Sequence, residues 1–240
     1  MKFIFTFGLL LCYSIINAQD TLFLNKDYKK VSRDNAFYIE TNQRNPSAEN
    51  EIIRRTYWIN GQIKSERSFV EKDKDLIRNG ISKYWYDNGQ LFYQETYRKG
   101  ERHGELIGYW EDGSKRRHDI FSKGKLKSGK VWDRNGDERE HFPIMEKASF
   151  PGGEKALAAY LKHSLPVPET QAKNTLVKVV VKFVINKEGY VGKIDIIEGA
   201  PHWYNTVTVN ALSKMPKWNP AKQFGEPVNV SYTLPVIFRK

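Results

Sequence analysis

Apolar and polar residues alternate most regularly near the C-terminus. Val228, Val230, Tyr232, Leu234 and Phe238 fall on one side, with Asn229, Ser231 and Thr233 on the other. That period of two predicts a strand with one buried face. Pro227 and Pro235 bracket its regular part. Pro235 cannot donate to a ladder, so the strand's end is expected at a sheet edge or a bulge. Leu176–Ile185 alternates too: Val177, Val179, Val181, Phe183 and Ile185 face one way, Lys178 and Lys182 the other. Lys187-Glu188-Gly189 turns the chain into a second strand, Tyr190–Ile197, where Ile194 and Ile196 alternate with Lys193 and Asp195. A helical pattern follows Gly152-Gly153. Leu157, Tyr160 and Leu161 stand at i, i+3 and i+4, alanines fill the gaps, and Pro166 and Pro168 stop it. Tyr204–Met215 carries two patterns. Thr206–Val209 alternates like a strand, yet Val207, Ala211 and Met215 share a helical face ahead of Pro216.

Upstream the pattern is a repeat. Its anchor is a turn glycine after Asn or Asp: Asn60-Gly61, Asn88-Gly89, Asp112-Gly113 and Asn135-Gly136. Four residues before each glycine stands an aromatic, namely Tyr57, Trp85, Tyr109 and Trp132. Eight residues after the first three stands another, namely Phe69, Tyr97 and Phe121. Gly80, Gly100, Gly104 and Gly124 recur at matching places. Such spacing predicts stacked hairpins, with positive φ at both central positions of each Asn/Asp-Gly turn. One hairpin is marginal in water, so several share a core. The aromatics at repeat spacing are expected in that core rather than as a stacking platform for sugars or bases. The segment before the repeats, 19–50, is polar and irregular, with a short strand expected at Phe37–Ile39 and a linker at Asn42–Asn50.

The N-terminus changes the setting. Met1-Lys2 precedes fourteen mostly apolar residues, Phe3–Ile16, and then Asn17-Ala18-Gln19. This fits a cleaved export signal over residues 1–18. As a helix the run would reach about 21 Å, short of the ~30 Å hydrocarbon core. Cys12, the single cysteine, lies inside it, and Leu11 is too large for a good lipoprotein site. The mature chain would start at Gln19 without thiol chemistry. A formal charge of +11 fits either attraction to an anionic surface or a solvated basic surface. With an export signal, nucleic acid is not an expected partner.

The ordered residues of the last ninety positions resemble a known family. Phe150-Pro151-Gly152-Gly153, Phe183-Val184-Ile185, Gly189-Tyr190-Val191, Ala211-Leu212, Met215–Ala221, Gly225, Pro227-Val228, Leu234-Pro235 and Phe238 look like the C-terminal domain of TonB energy transducers. The resemblance implies a small α+β domain over about 145–240 that engages outer-membrane transporters and is not an enzyme. It also favours a helix over Tyr204–Met215. Gly189, Trp218, Pro220, Gly225, Pro227 and Phe238 are its structural positions. Trp218, held between Pro216 and Pro220, is expected as a core anchor, with a partner contact as the alternative. The stretch over about 57–140, placed within a repeat domain of 51–141, resembles MORN-variant repeats.

No catalytic or metal-binding pattern stands out. The five histidines show no ligand spacing, and no phosphate loop, dinucleotide fingerprint or nucleophile motif is present. Asp73-Lys74-Asp75 lacks the acidic twelfth position of a calcium loop, where Tyr84 stands. His118-Asp119 and Glu140-His141 are expected as exposed loop pairs. No cofactor is implied.

The leading function is that of an exported, periplasmic or envelope-associated binding protein. The strand Val228, Asn229, Val230, Ser231, Tyr232, Thr233, Leu234 would offer an edge to an extended transporter segment. A homodimer pairing through the same edge is the alternative occupant. Two other classes remain open: a true energy transducer with residues 1–18 still attached, and an exported structural protein whose repeats bind a surface polymer.

Overall fold

The computed structural model describes residues 21–45 and 48–240. The expected export signal, with Cys12 and the proposed start at Gln19, lies outside them. The chain divides into two compact units between His141 and Phe142.

The first unit is one antiparallel sheet. It holds β1 (Thr21–Leu24), β2 (Tyr38–Asn45), β3 (Ala48–Trp58), β4 (Ile63–Lys72), β5 (Asp75–Arg78) and β6 (Gly80–Trp85). β7 (Leu91–Arg98), β8 (Glu101–Tyr109), β9 (Lys115–Ser122), β10 (Lys125–Trp132) and β11 (Glu138–Arg139) complete it. Strands lie in chain order, with β5 and β6 both pairing with β4. Among the described residues the sheet begins at Thr21; the short strand expected at Phe37–Ile39 is the start of β2, while the linker expected at Asn42–Asn50 supplies the end of β2 and the start of β3. Long polar side chains bond across these strands, Arg54 to Asn42 at 2.8 Å and Arg55 to Gln43 at 2.6 Å, so no hydrophobic period marks them.

The hairpins use two turn types. At the Asn/Asp-Gly anchors only the glycine has positive φ (+85° at Gly89, +86° at Gly113), which corrects the expected turn. Gly89 N–H closes back on Tyr86 C=O, and Tyr86 N–H bonds Gln90 C=O. This is a longer hairpin loop with the glycine in the left-handed region at a bulge. The Asn88 side chain accepts the Gln90 N–H at 2.9 Å, which suits a right-handed backbone at Asn88 itself. The tight two-residue turns sit at the other ends of the strands, at Asp73-Lys74, Lys99-Gly100 and Lys123-Gly124, where both residues have positive φ. Asp73 thus belongs to a hairpin tip, with no room for a cation-binding loop. Successive hairpins interlock: Gly100 N–H bonds Arg78 C=O at 2.8 Å and Gly124 N–H bonds Arg102 C=O at 3.0 Å.

One face carries a recurring device. Arg54, Arg78 and Arg102, spaced 24 apart, lie over Phe69, Tyr97 and Phe121 at 5.4, 4.9 and 5.7 Å. Buried Glu95 pairs with Arg78 and Arg102, and buried Glu40 with Arg67 and Arg54. Charge-assisted bonds offset the burial of these carboxylates.

The second unit begins with β12 (Met145–Glu146) and α1 (Gly153–Ser164). It continues through β13 (Leu176–Ile185), β14 (Val191–Glu198), α2 (His202–Ser213), β15 (Ala221–Gln223), β16 (Glu226–Val228) and β17 (Val230–Arg239). Two three-stranded sheets form, in the orders β12-β15-β16 and β14-β13-β17. The described chain is thus mostly antiparallel sheet with two α-helices, an α+β arrangement. The core of this unit is Val179, Val181, Phe183 and Ile185 of β13, Val236 and Phe238 of β17, Leu212 of α2, and Trp218.

Candidate functional site

β17 is the edge of its sheet. The ladder with β13 runs without a bulge from Leu176↔Arg239 to Ile185↔Val230, with Pro235 opposite Val180. The strand therefore passes through Pro235 and starts two residues later than the alternation suggested. Val228 ends β16 in the other sheet, opposite Ala221. Asn229 lies between the strands, and its side chain accepts the Lys187 N–H at 2.8 Å. Val230, Ser231, Tyr232, Thr233 and Leu234 do lie in the edge strand.

Backbone phase decides what the edge offers. In an antiparallel pair, residues alternately point both backbone groups at the partner and away from it. Lys240 N–H bonds Thr175 C=O, one pair beyond Arg239. In that phase Val230, Tyr232, Leu234, Val236 and Phe238 address β13, while Ser231, Thr233, Pro235, Ile237 and Arg239 address the open side. Pro235 sits where its missing N–H breaks no ladder bond. Among the described residues no further strand pairs with β17. The open side presents four N–H groups, two on each side of Pro235.

Grooves flank this edge. The apolar face of α1, with Leu157, Tyr160 and Leu161, is only half-buried. Tyr160 ties the helix to α2 by a 2.9 Å bond from its hydroxyl to Ala211 C=O. One hollow of about 410 Å³ is lined by Phe150, Leu157, Trp218, Tyr232 and Leu234, among others. A second, of about 590 Å³, is lined by Leu161, Leu165, Val167 and residues 235–239.

The floor of the first hollow is locked. Trp218 is 4% exposed and packs edge-on against Phe150 (5.5 Å between centroids) and Phe183 (6.1 Å), and at a tilt against Tyr232 (5.5 Å). Its backbone N–H bonds Gly189 C=O at 2.8 Å. Gly189 has φ +93°, and a Cβ there would lie 2.2 Å from the Trp218 carbonyl oxygen. Trp218 Nε1 is buried with no bonding partner among the described residues. The Tyr232 hydroxyl donates to Ala148 C=O at 2.7 Å, and burial pushes its phenol up from the ordinary value. The other structural positions frame this floor. Phe224-Gly225 forms a left-handed tip between β15 and β16, and a Cβ on Gly225 would meet the Phe142 ring at 2.8 Å. Pro227 pairs opposite Lys222 in β16. Asn219, just before Pro220, bridges to Ser149, and Phe238 is buried.

The titratable pairs fall elsewhere. Asp119 is buried, bonded to Arg117 Nε at 2.7 Å and His141 Nε2 at 2.9 Å, while His118 pairs with Glu105 at 3.2 Å. Asp119 is thus a strand residue locked in an ion pair, not an exposed loop residue. Sequence spacing gave no signal for the Asp119–His141 contact, which spans twenty-two positions. Among the described residues no group of three or more His, Cys, Asp and Glu side chains is placed to hold a metal ion.

Residues 169–239 match the family model described as Gram-negative bacterial TonB protein C-terminal. The match starts after α1 and covers β13 through β17, including the open edge. It supports a TonB-like part in this chain, and with it a role in envelope transport exercised through protein interaction. No curated protein and no solved structure matched the chain. Among the described residues no helix is long and apolar enough to cross a membrane.

Proposed function

We propose that residues 142–240 form a docking module that takes an extended segment of an outer-membrane transporter onto the open edge of β17. The supporting observation is the ten-residue edge with outward N–H groups at Ser231, Thr233, Ile237 and Arg239, beside grooves under α1. A strand added there gains main-chain bonds, and its alternate side chains enter the grooves. Specificity then comes from the groove walls, Leu157, Leu161 and Leu165 on one side and Tyr232 and Leu234 on the other. Binding is weak to moderate, because an extended peptide loses ordering entropy on docking. Exported, non-enzymatic action in the periplasm or envelope accords with this reading.

The phase of β17 selects the test. Val230→Pro would break the protein's own ladder with β13. Thr233→Pro removes an N–H aimed at the open side, two residues from a proline the strand already accepts. Calorimetric titration with transporter plug-domain peptides should show binding to the parent chain and loss of at least most of it in Thr233→Pro, with melting unchanged. Equal binding by the two chains would sink strand addition at this edge. A dimer that dissociates on Thr233→Pro, with no peptide bound by either chain, would assign the edge to self-pairing instead.

A further inference from the structure

Antiparallel connection sends alternate turns of the repeat sheet to opposite ends of its strands, and the two ends differ in charge. The Asn/Asp-Gly end carries Asp87, Glu111, Asp112, Asp133 and Asp137. Several of these carboxylates are engaged: Glu111 with Arg134 at 3.0 Å, Asp133 with Arg139, and Asp112 with the Ser114 hydroxyl at 2.6 Å. The tight-turn end carries Lys74, Arg98, Lys99, Lys123, Lys125 and Lys127, with Glu71, Asp73 and Asp75 around the first tip and Glu101 at the second. Among the described residues these six cations have no ion-pair partner, whereas Arg78 of β5 and Arg102 of β8 pair with Glu95. Arg98, Lys99, His103 and Lys123, with Glu101 as the one carboxylate, line a hollow of about 370 Å³ between neighbouring tips. The tips are held in place, since Lys99 N–H bonds the Asn79 side chain at 3.2 Å and both turn glycines bond the preceding hairpin.

Five cations, Arg98, Lys99, Lys123, Lys125 and Lys127, against the single carboxylate Glu101 at two neighbouring tips form an electrostatic docking surface. We infer that this end of the sheet rests on an anionic membrane surface, with phosphate headgroups entering the hollow between Lys99 and Lys123. A planar anionic layer fits because the tips at Lys99-Gly100 and Lys123-Gly124 lie side by side at one end of the sheet. Each lysine near such a surface strengthens binding roughly fivefold, falling off within a Debye length.

The test is co-sedimentation of the full chain with vesicles of phosphatidylcholine alone and of phosphatidylcholine mixed equally with phosphatidylglycerol. The measured quantity is the excess on anionic vesicles, which subtracts binding through apolar residues. Lys99→Asn with Lys123→Asn removes two charges at left-handed positions that asparagine tolerates. The excess affinity should fall roughly thirtyfold in this double variant and vanish at high salt. Lys173→Asn with Lys193→Asn, which removes the same charge from the other unit, should leave it nearly unchanged. An equal fall in both double variants would reduce the effect to net charge and overturn the site. Amide shifts at Lys99 and Lys123 with inorganic phosphate, without any anionic-vesicle excess, would assign the hollow to a soluble phosphate and overturn membrane docking.

Discussion

Gly189→Ala is the sharpest probe of the floor beneath the docking edge. Gly189 stands at φ +93° in the β13–β14 turn, closed by Gly189 N–H to Asn186 C=O at 2.9 Å and by Tyr190 N–H to the Asn186 side chain at 2.7 Å. A methyl group there meets the Trp218 carbonyl oxygen at 2.2 Å, a backbone atom that cannot rotate away. Left-handed strain on alanine costs about 1–2 kcal/mol. Separating the two segments loses the Trp218 N–H to Gly189 C=O bond, a further ~0.5–1.5 kcal/mol. The expected loss is therefore about 1.5–3.5 kcal/mol, a fall in urea midpoint on the order of 1 M. Unfolding of the full chain should be followed on resolved amide resonances of residues 142–240, so that this unit is read apart from the repeats. Gly192→Ala is the control, since its Cβ would find nothing nearer than Val184 C=O at 4.0 Å and its φ is ordinary. A Gly189→Ala midpoint within error of the Gly192→Ala midpoint would refute the lock.

Trp218→Ala should cost about 3–5 kcal/mol, the range for losing a large core aromatic; an unchanged denaturation midpoint with binding lost would make Trp218 a contact residue instead. Gly89→Val meets no atom within 4 Å, so its penalty is backbone strain at φ +85°, about 1–2 kcal/mol. Gly89→Asn should recover most of it, and a Gly89→Val chain that melts like the parent would discount the bulged turn. Partial burial, and next the neighbouring phenol of Tyr38, on whose ring Tyr28 stacks at 4.8 Å, push the Tyr28 phenol up to about 12. The neutral phenol is the form the fold favours, so its contribution is whole below the ordinary value near 10 and is lost as pH rises toward 12. Alkaline titration by ultraviolet absorbance should show several late-ionising tyrosines, Tyr93, Tyr97 and Tyr232 among them, and one fewer in Tyr28→Phe; no change in the curve would count against the packing of Tyr28 on Tyr38.

Where burial follows period two, the elements are legible in the residues themselves. β13 alternates valines against lysines and is buried on the valine face along most of its length. The helix after Gly152-Gly153 and the stop before Pro166 follow equally local rules. The C-terminal edge strand was harder. A proline marks an end only when its N–H position is needed, and Pro235 lies on the side of β17 that faces no partner. Phase, not residue type, decides that, and phase comes from the pairing with β13. The turns at Asn88 and Asp112 were misleading for a related reason: their side chains serve the N–H two residues on, which keeps their own φ negative. β2 is legible only at Tyr38-Ile39; beyond that, arginine, asparagine and glutamine bond across β2 and β3, so hydropathy carries no period. The arginines at 54, 78 and 102 keep a 24-residue spacing in the sequence, but which ring each covers depends on strand pairing that spacing alone does not carry.

The central claim is that β17 accepts a partner strand on its open side. Hydrogen exchange of the full chain, read residue by residue with and without transporter plug-domain peptides, tests it most directly. In the free chain, the amides of Val230, Tyr232, Leu234, Val236 and Phe238 should already be protected by the β13 ladder, while Ser231, Thr233, Ile237 and Arg239 exchange quickly. With peptide bound, protection should appear at outward amides on one or both sides of Pro235, together with shifts at Leu157, Leu161 and Trp218. Protection confined to residues outside 230–239, or none at millimolar peptide, would contradict the account.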